Sequence, residues 1–192
     1  MRNTLLVLAG VAIVLAAVLI ARACHLRRVE SNEVEAIVDT CSVAAGEGAY
    51  GGVVGPGVYG PLECLAEPRS PGCVSNYSAD RPRFLDPTVV SLTPRHGYKR
   101  AFTPGDSVRN ARTSRGITAF CYSAVPATLG WTGRYSFGTD GQGTVCYDPT
   151  GAELCSAGEP AGSAMRPVSE CRVFQCGDQG RRSPFGVWGR KE

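Results

Sequence analysis

Residues Thr4–Ile20, TLLVLAGVAIVLAAVLI, make a run of seventeen residues without a charge, and no other stretch limits the fold of this chain so strongly. In water such a run leaves almost all of its apolar surface wet, whereas as a helix in lipid it satisfies its own backbone. At 1.5 Å per residue it spans about 26 Å, close to the roughly 30 Å of a hydrocarbon core once flanking side chains snorkel. Nothing in the sequence halts that helix at the membrane surface. No proline occurs before Pro56, and after Gly10 no glycine occurs before Gly46. One helix is therefore expected from about Asn3 to about Ala45, with Gly46 and Gly48 as its stop signal.

The 192 residues leave room for one ordinary domain besides this anchor. From His25 to Ala45 the apolar positions Leu26, Val29, Val34, Ile37, Val38, Cys41 and Ala45 recur at three- and four-residue spacing, one stripe of an amphipathic helix. Beyond it, abundant Gly and Pro point to short strands and turns. Strand-like runs lie at Tyr98–Thr103, Ile117–Ala127, Arg134–Gly138 and Thr144–Tyr147. They are punctuated by Pro104-Gly105-Asp106, by Gly130 to Gly133 and by Asp140-Gly141-Gln142-Gly143. Strands in that sequence favour an antiparallel meander with one face to bury, and the long helix is the only large partner for it. The expected class is thus α+β, with a helix, transmembrane in its first half, packed on a small antiparallel sheet. Its expected parts are the helix at 1–45, a globular domain at 46–155 and an irregular Cys-containing tail at 156–192, which Trp188 is placed to dock onto the body.

Cysteine usage bears on the compartment. Cys41, Cys64, Cys73, Cys121, Cys146, Cys155, Cys171 and Cys176 all lie beyond the apolar run, an even number that favours disulfides in an oxidising space. Cys64 and Cys73 bracket EPRSPG, and Cys146 and Cys155 bracket a Asp148-Pro149-Thr150-Gly151 turn, so each pair suits a locally closed loop, although eight cysteines allow 105 pairings. Arg22, Arg27 and Arg28 follow the apolar run while only Arg2 precedes it, which on charge alone would hold the C-terminal part in the cytoplasm. Eight thiols in a Gly-rich domain outweigh that count. Ala21-Arg22-Ala23 before Cys24 offers a competing reading as an export signal, with Arg22 standing where a small residue is wanted.

Tyr122 to Gly143, with Ala124, Pro126, Gly130, Thr132, Gly133, Arg134, Phe137, Asp140 and Gly143, resembles the C-terminal strands of type IV pilin-like proteins and type II secretion pseudopilins. Leu85-Asp86-Pro87 with Gly97-Tyr98 is similar to the segment leading into that family's first strand. Ser31-Asn32-Glu33, with the chain to Tyr50-Gly51-Gly52, is similar to its helix exit. The resemblance covers about residues 4 to 150. It implies a single-pass inner-membrane subunit whose C-terminal domain is periplasmic or extracellular, and partner subunits of a pilus or secretion assembly reached through the N-terminal helix. The family's processing glycine and membrane-buried glutamate have no counterpart here: no glycine precedes Thr4-Leu5, and the run holds no acid. That departure implies a minor or atypical subunit rather than a major pilin.

Little in the chain suits catalysis. Its two histidines, His25 beside the apolar run and His96 in a Pro-Arg-His-Gly turn, leave scant material for a nucleophile and base, and no enzyme activity, cofactor or metal is expected. Asp140 is expected to bond its own turn. A net charge of +3 is small for a nucleic-acid partner, and none is expected. The charge is nevertheless unevenly placed. Glu30, Glu33, Glu35 and Asp39 lie on the proximal helix, whereas the stretch from Arg95 to Arg115 holds Arg95, Lys99, Arg100, Arg109, Arg112 and Arg115 against only Asp106. The basic stretch is expected to be a solvated face or to pair with the acidic helix face of the same or an adjacent subunit. A different class of function, an anchored or exported binding module outside any fibre, is the alternative.

Overall fold

The computed structural model describes residues 2–143, 145–155 and 172–174. Helix α1, Arg2–Val54, is a single rod of 53 residues and so about 80 Å long. Two one-turn helices follow, α2 at Leu62–Ala66 and α3 at Pro87–Val90, the latter capped by Asp86 Oδ1, which accepts from Thr88 N at 2.7 Å. The strands are β1 Tyr98–Pro104, β2 Ser107–Val108, β3 Gly116–Ile117, β4 Phe120–Pro126, β5 Ser136–Asp140, β6 Val145–Asp148 and β7 Arg172–Phe174. An antiparallel sheet in the order β1-β4-β5-β6-β7 lies against α1, and β2 pairs with β3 in a separate ribbon. The α+β class, the helix on an antiparallel sheet and the disulfides follow the sequence expectation.

The helix does not end at Ala45. Gly46 and Gly48 sit inside it, and a Cβ on Gly46 would stand 2.9 Å from the Phe84 carbonyl oxygen, so this glycine lets a loop press on the helix instead of ending it. The stop comes at Gly55, whose φ of +131° no ordinary L-residue adopts readily; its N–H still bonds the Gly51 carbonyl at 2.9 Å, and Pro56 follows. Ser31-Asn32-Glu33 is mid-helix, and the helix runs on through Tyr50-Gly51-Gly52 to Val54. The run expected from Ile117 to Ala127 is also divided. Ile117 pairs with Ser107 and bridges Tyr59, and the long strand starts only at Phe120.

From residue 29 on, α1 buries Val29, Glu33, Ala36, Thr40, Val43, Glu47, Tyr50 and Val54, a stripe at three- and four-residue steps. Of the apolar stripe read from the sequence, Leu26 and Ala45 are exposed and Val34 and Val38 only half-buried, whereas three acids, Glu33, Asp39 and Glu47, occupy buried positions. Tyr50, Tyr98, Tyr122, Phe137, Leu65 and Val43 fill the core between helix and sheet. The sheet's other face is not left to water either: Leu154 packs with Cys146 and Cys121 over Gly138, where a Cβ would stand 3.1 Å from a Leu154 methyl.

Disulfides tie these layers. Cys64–Cys73 closes the local loop as its spacing suggests, with Cα atoms 5.2 Å apart. The second local pairing is corrected: Cys155 bonds Cys121 across 34 residues, because the returning chain lies over β4 on the face that Cys121 shares with Cys146. Cys41 and Cys146 are disulfide-bonded as well, and Cys24 is free and exposed. Thr144, Cys171, Cys176 and the tail with Trp188 lie outside the described residues, apart from β7.

Candidate functional site

Two features of α1 stand apart from its packing on the sheet. The first is its bare N-terminal part. Leu8, Val11, Ile13, Val14, Leu15, Val18, Leu19 and Ile20 are all exposed, and among the described residues nothing buries the apolar window of the helix. By length and composition it is a candidate membrane span, and a run this apolar is out of place in water.

The second is the place where the sheet first reaches the helix, built by the β4–β5 connection. Thr128 accepts from the N–H groups of Trp131 and Thr132 at 3.0 and 2.9 Å, Gly130 N–H donates to the Gly133 carbonyl at 2.8 Å, and Thr132 Oγ1 accepts from Thr128 N–H at 3.0 Å. Gly130 takes φ +79°, and Gly133 is obligatory for another reason. A Cβ there would fall 2.0 Å from the Tyr98 hydroxyl, which instead donates to the Tyr135 carbonyl at 2.9 Å.

The helix grips this loop through neighbouring residues. Asn32 donates to the Thr132 carbonyl at 3.0 Å, and Glu33 accepts from Arg134 three times: backbone N–H at 2.7 Å, Nε at 3.1 Å and Nη2 at 2.9 Å. Glu33 is 1% exposed, while Arg134 keeps one side in water and its ring neighbour Tyr135 under the guanidinium at 5.4 Å. The hydrogen bonds to Glu33 raise the Arg134 pKa further, so the cation is permanent. Two turns lower His25 packs against Trp131, the tilted rings having centroids 4.7 Å apart, and its Nε2 lies 3.3 Å from the Gly130 carbonyl oxygen.

A second polar tie lies further along. Arg100 on β1 meets Asp39 at 3.3 Å and donates to the Thr93 carbonyl at 2.9 Å, with both side chains buried. Burial raises the Asp39 carboxyl above its ordinary value and the Arg100 charge draws it back. Glu35 approaches His96 at 4.0 Å.

The acidic helix residues are thus engaged largely within the chain: Asp39 by Arg100 and Glu35 by His96, both from the start of the basic stretch expected to meet them, and Glu33 by Arg134 from outside it. Arg109 and Arg112 are exposed, and Arg115 pairs with Glu63 on α2. Glu30, half-buried, adds its field at Arg134. The residues of the sequence motif form one continuous unit: Ala124 is buried on β4, Pro126 ends that strand, Gly130 to Arg134 make the loop, Phe137 enters the core, and Asp140 closes β5. Asp140 accepts from Gln142 N–H at 2.9 Å, the expected turn bond, with Gly143 at φ +71°.

Glu47 was missed by the sequence reading. It is 1% exposed, one oxygen accepts from Gly60 N–H at 2.7 Å, the other has no hydrogen-bond partner, and burial pushes its pKa up to about 8. Apolar periodicity cannot reveal a buried acid; its place in the stripe, four residues after Val43 and three before Tyr50, was the available signal. Among the described residues no group of three His, Cys, Asp or Glu converges to hold a metal. Compared with known proteins, the chain matches no family model, no curated protein and no solved structure.

Proposed function

We propose that this protein is a membrane-anchored, pilin-like or pseudopilin-like structural subunit, working through helix packing and surface contacts and not through catalysis. The observation that supports it best is the division of α1, bare and apolar over Leu8–Ile20, yet the spine of a disulfide-bonded α+β domain from Val29 to Val54. A helix of that kind anchors a domain and offers its free face to lipid or to the helices of sister subunits. The disulfides favour an oxidising side of an inner membrane for the domain. With no acid in the apolar run, the subunit is a minor or atypical one.

Two measurements test the reading. Membranes from cells making the full chain should retain it after alkaline extraction. Mild cross-linking followed by purification should recover other helix-anchored subunits, and reversal of the exposed pair Arg109→Glu with Arg112→Glu should weaken that recovery. A chain found only in the soluble fraction, or one that is anchored but isolated at every cross-linker concentration, would contradict the proposal and favour a free-standing binding module.

A further inference from the structure

The loop that carries Trp131 presents a large apolar surface where a soluble domain has no use for one. Trp131 is 68% and Leu129 55% exposed, and Leu26, which follows the loop's contact His25 along α1, is 46% exposed. This is not a loose loop: four of its backbone N–H groups are bonded within the Thr128–Gly133 turn, and Asn32 and Glu33 fix it to the helix. The chain therefore holds these side chains out.

Its height along α1 identifies what they meet. His25, against which Trp131 packs, lies five residues past Ile20, a rise of about 7.5 Å, and the headgroup layer of a bilayer is about 5–7.5 Å deep on each side, so the pair stands at its outer edge. Arg22, Arg27 and Arg28 are exposed on either side of that level, within about 9 Å of helix rise. Aromatic side chains with a polar edge and cations with long apolar stems are the residues that settle in this layer.

We propose that the Leu129–Trp131 loop is a second membrane contact, seated with Leu26 in the headgroup layer of an anionic bilayer, so that the domain lies down on the membrane and does not swing on its helix. The clamp of Asn32 and Glu33 then sets the angle between anchor and domain. This inference rests on the reading of Thr4–Ile20 as an anchor.

The test uses the full chain with Trp188→Phe, which leaves Trp131 as the sole tryptophan, reconstituted into vesicles of phosphatidylcholine and phosphatidylglycerol. Part of the lipid carries bromine on its acyl chains, either near the headgroup or near the chain ends. Trp131 emission should be quenched at least about twofold more strongly by the shallow bromine than by the deep one, as a side chain at the interface requires. An alkali-resistant, integrated chain whose Trp131 is quenched by neither lipid would overturn the proposal while leaving the anchor intact. Extraction of the chain by alkali would overturn the anchor, and this proposal with it. Trp131 shielding that grows with the protein-to-lipid ratio and ignores bromine would overturn it in favour of a second copy of the chain.

Discussion

The two halves of α1 have the same backbone and opposite surroundings. Residues 8–20 carry apolar side chains on every side and bury none of them, whereas residues 29–54 bury one stripe, and that stripe contains Glu33, Asp39 and Glu47. The bare half has the uniformity that suits a candidate membrane span, since lipid would surround a rod symmetrically and ask only that no charge be left in it. The packed half is particular because one sheet reaches it from one side, and each acid there is tied to a named group: Glu33 to Arg134, Asp39 to Arg100, Glu47 to the Gly60 amide. A uniform surface tolerates exchange of one apolar residue for another, and a particular one does not.

The contrast is broken most severely at the buried ion pair. Arg100→Ala leaves Asp39 buried without its cation and frees the Thr93 carbonyl, and should cost about 3–5 kcal/mol in denaturant unfolding of the domain. Next comes the long cross-link. Replacing Cys121 and Cys155 with Ser reopens a loop closed across 34 residues and should lower stability by about 2–4 kcal/mol, with the melting temperature as readout.

Glu47 sharpens the comparison through pH. Its carboxyl titrates near 4.5 in the unfolded chain and near 8 when buried, so the folded state holds the proton more tightly across that window. Its contribution to stability is then complete below about pH 4.5, falls as pH rises, and levels off above about 8. Glu47→Gln should remove this slope and stabilise the domain by on the order of 2 kcal/mol at pH 8, with little effect at pH 4. The gain is less than the full shift because the new amide must find a partner where one Glu47 oxygen has none. Smallest of all, Leu15→Ser on the bare half should leave domain unfolding unchanged within about 0.5 kcal/mol.

Much of the scaffold was legible. The apolar run, the antiparallel order and the Asp140 turn are written in local chemistry: an uncharged stretch, Gly and Pro between β-rich runs, an Asp followed by Gly. What escaped depends on long-range contact. Gly46 reads as a helix stop until Phe84 is seen pressing on it, and nothing local marks Glu33 and Glu47 as buried until Arg134 and Gly60 arrive from more than a dozen residues away. The Cys121–Cys155 bond could not be chosen from spacing, since a tight turn between Cys146 and Cys155 made the shorter pairing equally reasonable.

The central claim is that α1 passes from lipid to protein between about residues 21 and 28. A nitroxide scan measures this directly, with single cysteines placed in turn from residue 8 to residue 45, Cys24→Ser as background and the chain in vesicles. Oxygen should relax the probes strongly through residue 20, a water-borne nickel chelate should take over near residues 22 to 28, and beyond 29 both should fall and rise with the helical period. Probes between residues 8 and 20 relaxed by the nickel chelate would contradict the account.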